Sequence, residues 1–354
     1  MTGLTPLEET LVSLIATPSV TGFEGRLCTD VAERMLATWG LDGVARIGNS
    51  LVVGKRTDRP LITLFGHLDT VPEQEGNGTP RVEEERICGL GATDMKAGLA
   101  VMIHLLENQR VVSGKYDVVG VFYDKEEGPQ DENGLEAVLE HVDWLSESEL
   151  AVVLEPTDLE IQLGCNGAMN ATVSFFGHAA HAARPWLGEN AVTKAGAWLE
   201  ELHRRRPELF TVGGLEFREV FSVTMASGGI ARNVIPARFD VNLNYRFPPI
   251  YDLDQAEERL REATAAADEV TIIDRAPGAP VPEGNAALER LEGVSGAIRA
   301  SKQGWTDVAR LAAWGIPAVN YGPGEVALAH RVDESLPRDH LTRAYAVLER
   351  FLIE

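Results

Sequence analysis

Histidines and carboxylates that could bind metal are spread along this chain, most of them directly after a short apolar run. Imidazole and carboxylate groups, without thiolates, are typical ligands of a hydrolytic zinc centre. More of these groups are present than one ion would use, and they suit two ions that share a carboxylate, with Asp94 as the predicted bridge. The predicted ligands and their neighbouring acids are His67, Asp94, Glu126, Glu127, Glu155 and His330.

The apolar runs indicate how these residues come together. Continuous apolar runs of this length, separated by helical patterns, predict strands that are buried on both faces of a parallel sheet. Functional groups in such sheets collect at the carboxyl ends of the strands, so we expect the ligands to converge on one edge. The predicted strands cover residues 61–65, 118–123, 151–154 and 317–321, and a buried helix is predicted over 95–106.

Spacing also suggests roles for three acids. Asp69 lies two residues after His67, so at the end of an extended strand its carboxylate is predicted to accept the imidazole proton that does not face metal. Glu126 and Glu127 are adjacent, and on a strand they would point in opposite directions. One of them is therefore predicted to bind metal and the other to act as the base on the attacking water.

The middle of the chain has a different pattern, which predicts a second domain. Between about residues 167 and 277 the order is strand (169–176), helix (190–205), two strands (220–225 and 237–247), helix (253–267) and strand (270–273). That order is the split β-α-β of a ferredoxin-like α+β unit. A further helix (305–314) precedes the strand at 317–321. We expect an α/β catalytic di-zinc domain at 1–166 and 279–354, with an inserted lid or dimerisation domain at 167–278.

Composition excludes several classes of protein. The net charge of −22 argues against binding of nucleic acid or anionic lipid. The three cysteines (Cys28, Cys88, Cys165) have no C-x-x-C spacing, which fits a reducing cytoplasm better than a disulfide framework or a thiolate zinc site. The N-terminus lacks the pattern of a signal peptide, and no segment has the roughly 20 apolar residues that a membrane span needs. A cytoplasmic protein is expected.

Other residues are interpreted as structural. His104, His141, His203 and His340 have no partner motif, and His178 is predicted to form hydrogen bonds within its loop. The stretch 89–91 lacks the third glycine of a dinucleotide-binding turn, and no Gly-x-Ser-x-Gly sequence indicates a serine hydrolase.

Several motifs together resemble the di-zinc amidohydrolase and exopeptidase family that includes aminoacylase, acetylornithine deacetylase and carboxypeptidase G. The matching stretches are 66–72 (GHLDTVP), 91–96 (GATDMK), 126–128 (EEG), 155–156 (EP), 177–185 (GHAAHAARP) and 233–236 (NVIP). The resemblance implies a zinc-exopeptidase-like α/β/α sandwich with a lid domain. It implies two Zn²⁺ ions per subunit, with Co²⁺ as a substitute. His67, Asp94 and Glu155 would bind one ion, and Asp94, Glu127 and His330 would bind the other.

The same resemblance assigns roles to further residues. Glu126 becomes the general base, and His181 a carbonyl-polarising residue that acts in the partner subunit of a homodimer. A carboxylate of the substrate is expected at Arg246, with Arg232 as a second charge. Two polar residues in family-like stretches, Asn233 and Thr306, are further substrate-binding candidates.

Within the family, the stretches 155–157, 164–167, 180–191 and 304–310 most resemble the succinyl-diaminopimelate desuccinylases of actinobacteria. The implied reaction is hydrolysis of the amide of N-succinyl-LL-2,6-diaminopimelate. The chain departs from the family pattern at Leu90 and at Cys165-Asn166, positions where arginine occurs in other members. Alternatives are a deacylase of another N-acyl amino acid, such as N-acetylornithine, and a non-catalytic metal-bound dimer.

Overall fold

The computed structural model describes residues 3–354, which divide into two compact units. The first unit comprises the chain up to Leu163 together with Pro282–Ala300 and Arg310–Glu354, and the second comprises Gly164–Val281 and Ser301–Ala309. The expected division gave Ser301–Ala309 to the catalytic domain. This segment instead belongs to the second unit, where the Gln303 side chain donates to the carbonyl of Glu216 at 2.9 Å and Trp305 Nε1 donates to the carbonyl of Pro277 at 3.0 Å.

Sixteen strands form three sheets within the described residues. Their bounds are β1 Val44–Ile47, β2 Ser50–Val53, β3 Leu61–His67, β4 Arg81–Val82, β5 Arg86–Cys88, β6 Asp117–Tyr123, β7 Leu150–Val153, β8 Ile161–Cys165, β9 Gly167–Phe176, β10 Glu208–Val212, β11 Leu215–Gly228, β12 Arg238–Phe247, β13 Glu269–Ala276, β14 Arg299–Lys302, β15 Ala318–Asn320 and β16 Ser335–Pro337.

The largest sheet has the strand order β1-β2-β6-β3-β7-β15-β8-β14. Its four central strands, β6, β3, β7 and β15, are parallel neighbours, and they are the strands that the apolar runs predict. Every residue of β3, β6 and β7 is buried, as continuous apolar sequences require. The sheet is nevertheless mixed, because β1, β2 and β8 pair in antiparallel fashion. A small second sheet has the order β16-β5-β4.

Eleven α-helices accompany the strands within the described residues. They are α1 Pro6–Ala16, α2 Gly25–Trp39, α3 Lys96–Glu107, α4 Gln109–Val112, α5 Gly134–His141, α6 Ala191–Lys194, α7 Gly196–Arg204, α8 Leu253–Ala263, α9 Ala286–Ser295, α10 Val308–Ala313 and α11 Arg338–Ile353. Helix α3 is buried on almost all sides and packs against β3 and β6, as its apolar sequence predicts. No helix of residues 3–354 is both long enough and apolar enough to cross a bilayer.

Several predicted helices differ from the observed ones. The helix predicted over 190–205 is two helices, because the chain turns at Ala195 before α7 begins at Gly196. The helix predicted over 253–267 ends at Ala263, where the Thr264 hydroxyl donates back to the Leu260 carbonyl at 2.9 Å. The helix predicted over 305–314 begins only at Val308.

The second unit is built on an antiparallel sheet with the order β10-β11-β12-β9-β13. Strands β9, β11, β12 and β13, with the intervening helices, follow the predicted β-α-β-β-α-β order. Strand β10 was not predicted; it forms a hairpin with the start of β11. Apolar side chains of β9 and β12 pack with Trp198 of α7 in one cluster, and with Ala256 and Leu260 of α8 in another.

Candidate metal centre

Four of the predicted site residues lie at the carboxyl ends of three neighbouring parallel strands of the large sheet. His67 is the last residue of β3, and Glu155 follows the end of β7 by two residues. Glu126 and Glu127 follow the end of β6. Because β6, β3 and β7 run in the same direction, their carboxyl ends lie at the same edge, where ligand-binding groups of α/β sheets collect.

The ligand atoms form two groups that share Asp94. In the first, His67 Nε2 lies 3.1 Å from Asp94 Oδ1 and 3.6 Å from Glu155 Oε1. In the second, His330 Nε2 lies 2.8 Å from Glu127 Oε1 and 3.3 Å from Asp94 Oδ2. Within each group the ligand atoms all lie within 4.8 Å of one another. The two oxygens of Asp94 therefore face two different histidines, which is the arrangement of a bridging carboxylate.

Charge is concentrated at this centre. Burial opposes protonation of His67, but hydrogen bonds to Asp69 and Asp94 hold its pKa well above the usual range. Burial likewise raises the pKa of Asp94, yet hydrogen bonds to His330 and His67 lower it overall. Hydrogen bonds to Asp94 and Glu127 raise the pKa of His330 to about 10. The carboxylates thus favour positive charge at this centre, which a metal ion would supply.

Asp69 contacts His67 and also has partners that were not predicted. His67 Nδ1 lies 3.0 Å from the backbone carbonyl of Asp69 and 3.4 Å from its carboxylate, the predicted partner. The carboxylate also accepts the backbone N–H groups of Glu126 and Glu127, both at 3.0 Å, and the hydroxyl of Thr21 at 2.9 Å. Asp69 therefore contacts His67 through both its main chain and its side chain, and the same side chain fixes the turn that carries both glutamates.

The geometric reason for separating Glu126 from Glu127 was also wrong. Both residues lie in a turn after β6, which begins where Lys125 adopts a left-handed conformation with φ of 60°. In this turn the two carboxylates face the same side, and each has an oxygen close to a ring nitrogen of His67. The two glutamates differ in their neighbours: Glu127 also contacts His330, whereas Glu126 is grouped with His67 but not with His330.

Two glycines allow a close approach at the end of β7. A Cβ on Gly98 of α3 would lie 2.3 Å from the carbonyl oxygen of Leu154, and one on Gly322 would lie 2.4 Å from the same atom. Contacts this short are impossible for a real side chain. The absence of side chains at these positions lets the backbone before Glu155 pack tightly between two neighbouring segments.

Glu334, which no sequence pattern indicated, is a buried acid that holds the turn carrying Asp94. Its carboxylate accepts the backbone N–H groups of Gly91 at 3.0 Å and of Thr93 and Asp94 at 2.9 Å. Burial raises the pKa of Glu334 to about 7, despite these bonds. The only available signal was its position four residues after His330, in a polar stretch with no periodicity.

The other predicted site residues belong to the second unit. His181 is exposed in the loop between β9 and α6, and its Nδ1 accepts the backbone N–H of Ala183 at 3.0 Å. The proton of the neutral ring must then reside on Nε2, which is a donor. His178 pairs with Glu189 through both backbone groups, which agrees with a role within the loop.

The four substrate-binding candidates occupy different environments in the second unit. Arg232 and Asn233 are exposed in the segment after β11, Arg246 is half-buried on β12, and Thr306 is buried. Cys165 is buried as well, and burial raises the pKa of its thiol to about 11, so it offers no charge to a substrate. All three cysteines are free.

The donor set at the sheet edge fits a pair of metal ions. It supplies imidazole nitrogens and carboxylate oxygens in two groups, with one shared carboxylate, and no thiolate takes part. Bound there, divalent ions would polarise a carbonyl and lower the pKa of water, the chemistry of a metal-dependent hydrolase.

Comparison with known proteins agrees with that class. Residues 63–354 match the peptidase family M20/M25/M40. A protein of Mycobacterium tuberculosis that carries the name succinyl-diaminopimelate desuccinylase is 39% identical over 351 residues, or 98% of each chain. The succinyl-diaminopimelate desuccinylase of Corynebacterium glutamicum is 36% identical, over 96% of this chain and 94% of the other. A tripeptidase structure from Staphylococcus aureus superposes with a TM-score of 0.80 at 22% identity, covering 98% of this chain and 96% of the other.

The chain belongs to peptidase family M20/M25/M40, and it is a metal-dependent amidohydrolase. The predicted family and the predicted fold class, an α/β sandwich with an inserted α+β unit, are both confirmed.

Proposed function

We propose that this protein hydrolyses the amide bond of N-succinyl-LL-2,6-diaminopimelate to succinate and LL-2,6-diaminopimelate, in the cytoplasm, with two zinc ions per subunit. The observation that carries the substrate is the match to two desuccinylases along nearly the whole chain. The two ligand groups that share Asp94 support the ion count. Zinc is favoured because the donors are imidazole and carboxylate, and Co²⁺ is expected to substitute.

Glu126 is proposed as the general base. It takes a proton from the attacking water as the new C–O bond forms, and it delivers that proton to the nitrogen as the C–N bond breaks. The products are the succinate carboxylate and the free amine. The Asp69 carboxylate supports this role, since it accepts the backbone N–H of Glu126 and thereby orients the turn.

His181 is proposed to donate from Nε2 to the carbonyl oxygen as negative charge develops there. Its Nδ1 is already engaged by Ala183, which leaves the second nitrogen in the donor form. A donor of this kind stabilises the transition state more than the substrate, because the oxygen gains charge only during the reaction.

A homodimer is proposed from the edge of the second sheet. Strand β10 pairs with β11 only as far as Glu219, so residues 220–228 of β11 have a strand neighbour on one side only within the described chain. Apolar side chains stand exposed along and beyond that edge, with Met225 at 71% and Ile230 at 89% exposure. An open, apolar strand edge favours pairing with another chain. A second copy of this chain is the partner we infer, and His181 is proposed to act in the partner's site.

A substrate panel tests the proposal. Zinc-loaded protein is assayed against N-succinyl-LL-2,6-diaminopimelate, N-acetylornithine and other N-succinyl and N-acetyl amino acids. We expect the highest kcat/KM for the first compound. Preference for N-acetylornithine would identify a different deacylase on the same machinery. Absence of turnover on the whole panel, with both metal sites filled, would favour a non-catalytic metal-bound dimer.

A further inference from the structure

The loop between α1 and α2, residues 17–24, is attached to the segment that follows β3. The backbone N–H of Thr70 donates to the carbonyl of Ser19 at 3.0 Å, and the N–H of Thr21 donates to the carbonyl of Thr70 at 3.1 Å. Ser19 and Thr70 are both buried, so these bonds are shielded from water. The loop is thereby fixed beside Asp69, the residue before Thr70.

A tight turn fixes the position of Thr21 within this loop. The N–H of Phe23 donates to the carbonyl of Val20 at 2.7 Å, which makes Thr21 and Gly22 the central residues of a β-turn. Gly22 has a φ of 85°, a left-handed conformation that glycine adopts readily. The buried carboxylate of Glu24 accepts the N–H of Gly22 at 2.5 Å and stabilises the turn. The side chain of Thr21 therefore projects from an anchored backbone.

The hydroxyl of Thr21 donates to Oδ2 of Asp69 at 2.9 Å. The same carboxylate accepts the backbone N–H of Glu126 through Oδ1 and that of Glu127 through Oδ2, both at 3.0 Å. His67 Nδ1 lies 3.4 Å from Oδ1. Among these contacts in the described part of the chain, the one with Thr21 alone comes from a segment that carries no proposed ligand or base. Thr21 thus ties the carboxylate to a separately anchored part of the fold.

The methyl group of Thr21 has a different contact. A Cβ on Gly128 would lie 3.0 Å from Thr21 Cγ2, so the methyl group packs against the backbone of Gly128. Gly128 follows Glu127 directly. The two ends of the Thr21 side chain can therefore be removed one at a time, since valine lacks the hydroxyl and serine lacks the methyl group.

We propose that Thr21 is a positioning residue for Glu126: its hydroxyl fixes the carboxylate of Asp69, and that carboxylate holds the backbone of Glu126 in place. The effect is one of geometry, because a general base must lie within hydrogen-bond reach of the proton that it accepts. A displacement of about 1 Å can lower a rate about 100-fold. This inference rests on the proposed function, in which Glu126 is the base.

The test compares Thr21→Val with Thr21→Ser at saturating zinc. Thr29→Val is the matched control, because Thr29 is also half-buried and its hydroxyl donates to the carbonyl of Gly25 at 2.8 Å, not to Asp69. The constants kcat and KM are measured with N-succinyl-LL-2,6-diaminopimelate. Metal content and thermal unfolding are measured on each variant.

We expect Thr21→Val to lower kcat about 10- to 100-fold with KM and metal content unchanged, because a misoriented base affects the transition state more than substrate binding. Thr21→Ser and Thr29→Val should behave as the wild type. No loss in Thr21→Val, or an equal or greater loss in Thr21→Ser, would overturn the inference. Loss of metal from Thr21→Val, with an unchanged kcat once the sites are filled, would show that Thr21 supports His67 instead and would overturn it as well.

A double variant shows whether Thr21 acts through the base. Glu126→Gln already lacks the proton acceptor, so adding Thr21→Val to it should cause no further loss in kcat. A further loss of about tenfold in the double variant would show an effect of Thr21 that is independent of Glu126, and the inference would be wrong.

Failure of the proposed function has a different signature: the wild type would not cleave N-succinyl-LL-2,6-diaminopimelate, or Glu126→Gln would retain the wild-type kcat. The exchange rate of the Glu126 amide hydrogen, measured by NMR, then decides the inference, because Asp69 holds that N–H. Exchange at least about tenfold faster in Thr21→Val than in the wild type and in Thr29→Val would retain the positioning of Glu126 by Thr21. Equal exchange rates would reject it.

Discussion

Glu334 accepts the backbone N–H of Asp94 at 2.9 Å, although the two residues are 240 positions apart in the sequence. The same carboxylate accepts the N–H groups of Gly91 and Thr93, so one buried acid holds the whole turn that carries Asp94, the proposed shared ligand. Glu334 also follows His330 by four residues. One side chain thus links the segments of two proposed ligands of the second group.

Glu334→Gln is expected to weaken metal binding without unfolding the protein. The amide nitrogen of glutamine cannot accept a hydrogen bond, so at least one N–H of the turn loses its acceptor and Asp94 is less well oriented. Loss of such a supporting group typically costs 10- to 100-fold in metal affinity, and we expect about that loss in a chelator competition assay. Glu325→Gln, which removes a partner of Arg86, is the control. Unchanged affinity in Glu334→Gln would show that the turn holds Asp94 without it.

The two adjacent glutamates should give opposite results. Glu126→Gln is expected to retain both metal ions and to lower kcat about 10²- to 10⁴-fold, because the proton acceptor is lost. Glu127→Gln is expected to lose metal, because its carboxylate lies 2.8 Å from His330 Nε2 in the second group. Metal content and kcat measured on both variants provide the comparison. The reverse pattern would exchange the proposed roles of base and ligand.

Strand ends could be predicted from this sequence because buried parallel strands leave continuous apolar runs. His67, Glu155 and the two glutamates were found in this way, since each follows such a run. Strand β10 was not found, because it is only five residues long and, at the edge of a sheet, most of its residues are exposed. The turn at Glu126 was predicted as part of a strand. It begins at Lys125, which has a left-handed backbone conformation. Lysine rarely adopts that conformation, so the residue type gave no indication of the turn.

Partners of side chains were harder to predict than positions. The carboxylate of Asp69 lies 3.4 Å from His67 Nδ1, in line with the spacing, but nothing in the sequence indicated the three further donors that it accepts in the fold. Glu334 is a single charged residue in a polar stretch, and its burial depends on segments far away in the sequence. Only the tertiary structure shows that three backbone N–H groups donate to its carboxylate.

Glu219 is expected to stabilise the second unit in a pH-dependent manner. It is buried, and it accepts Arg259 Nε and the Tyr245 hydroxyl, both at 2.6 Å. Burial raises the pKa of Glu219, but these hydrogen bonds lower it overall below its ordinary value of 4.5. Glu219→Gln leaves Arg259 without its buried partner and should lower the free energy of unfolding by about 3 kcal/mol.

The sign of the pH dependence follows from the lowered pKa. A carboxylate with a depressed pKa in the folded state stabilises the protein above its unfolded-state pKa, and this contribution is lost as the pH falls through the folded-state value. The difference between wild type and Glu219→Gln should therefore be full at neutral pH and shrink below 4.5. Urea denaturation over a pH series measures it. Glu200→Gln, which breaks an exposed pair with Arg204, should change stability by no more than about 0.5 kcal/mol. A difference for Glu219→Gln that is constant with pH would contradict the assignment.

His181 is expected to complement a neighbouring subunit. His181→Ala should lower kcat about 10²- to 10³-fold, as loss of one oxyanion donor does. Mixing it with inactive Glu126→Gln, under conditions of subunit exchange, should restore about a quarter of the wild-type activity, because half of the dimers are mixed and each holds one intact site. Each variant assayed alone is the control. Lack of recovery despite demonstrated exchange would place His181 in its own subunit's site, or outside catalysis.

Metal titration of the stripped protein, with bound zinc and turnover measured on the same samples, tests the central claim most directly. We expect two ions per chain, activity that appears with the first ion and is complete with the second, and loss of one ion each in His67→Ala and His330→Ala. Full activity in strictly metal-free protein, or one ion per chain in fully active wild type, would contradict a centre built from two ligand groups around Asp94.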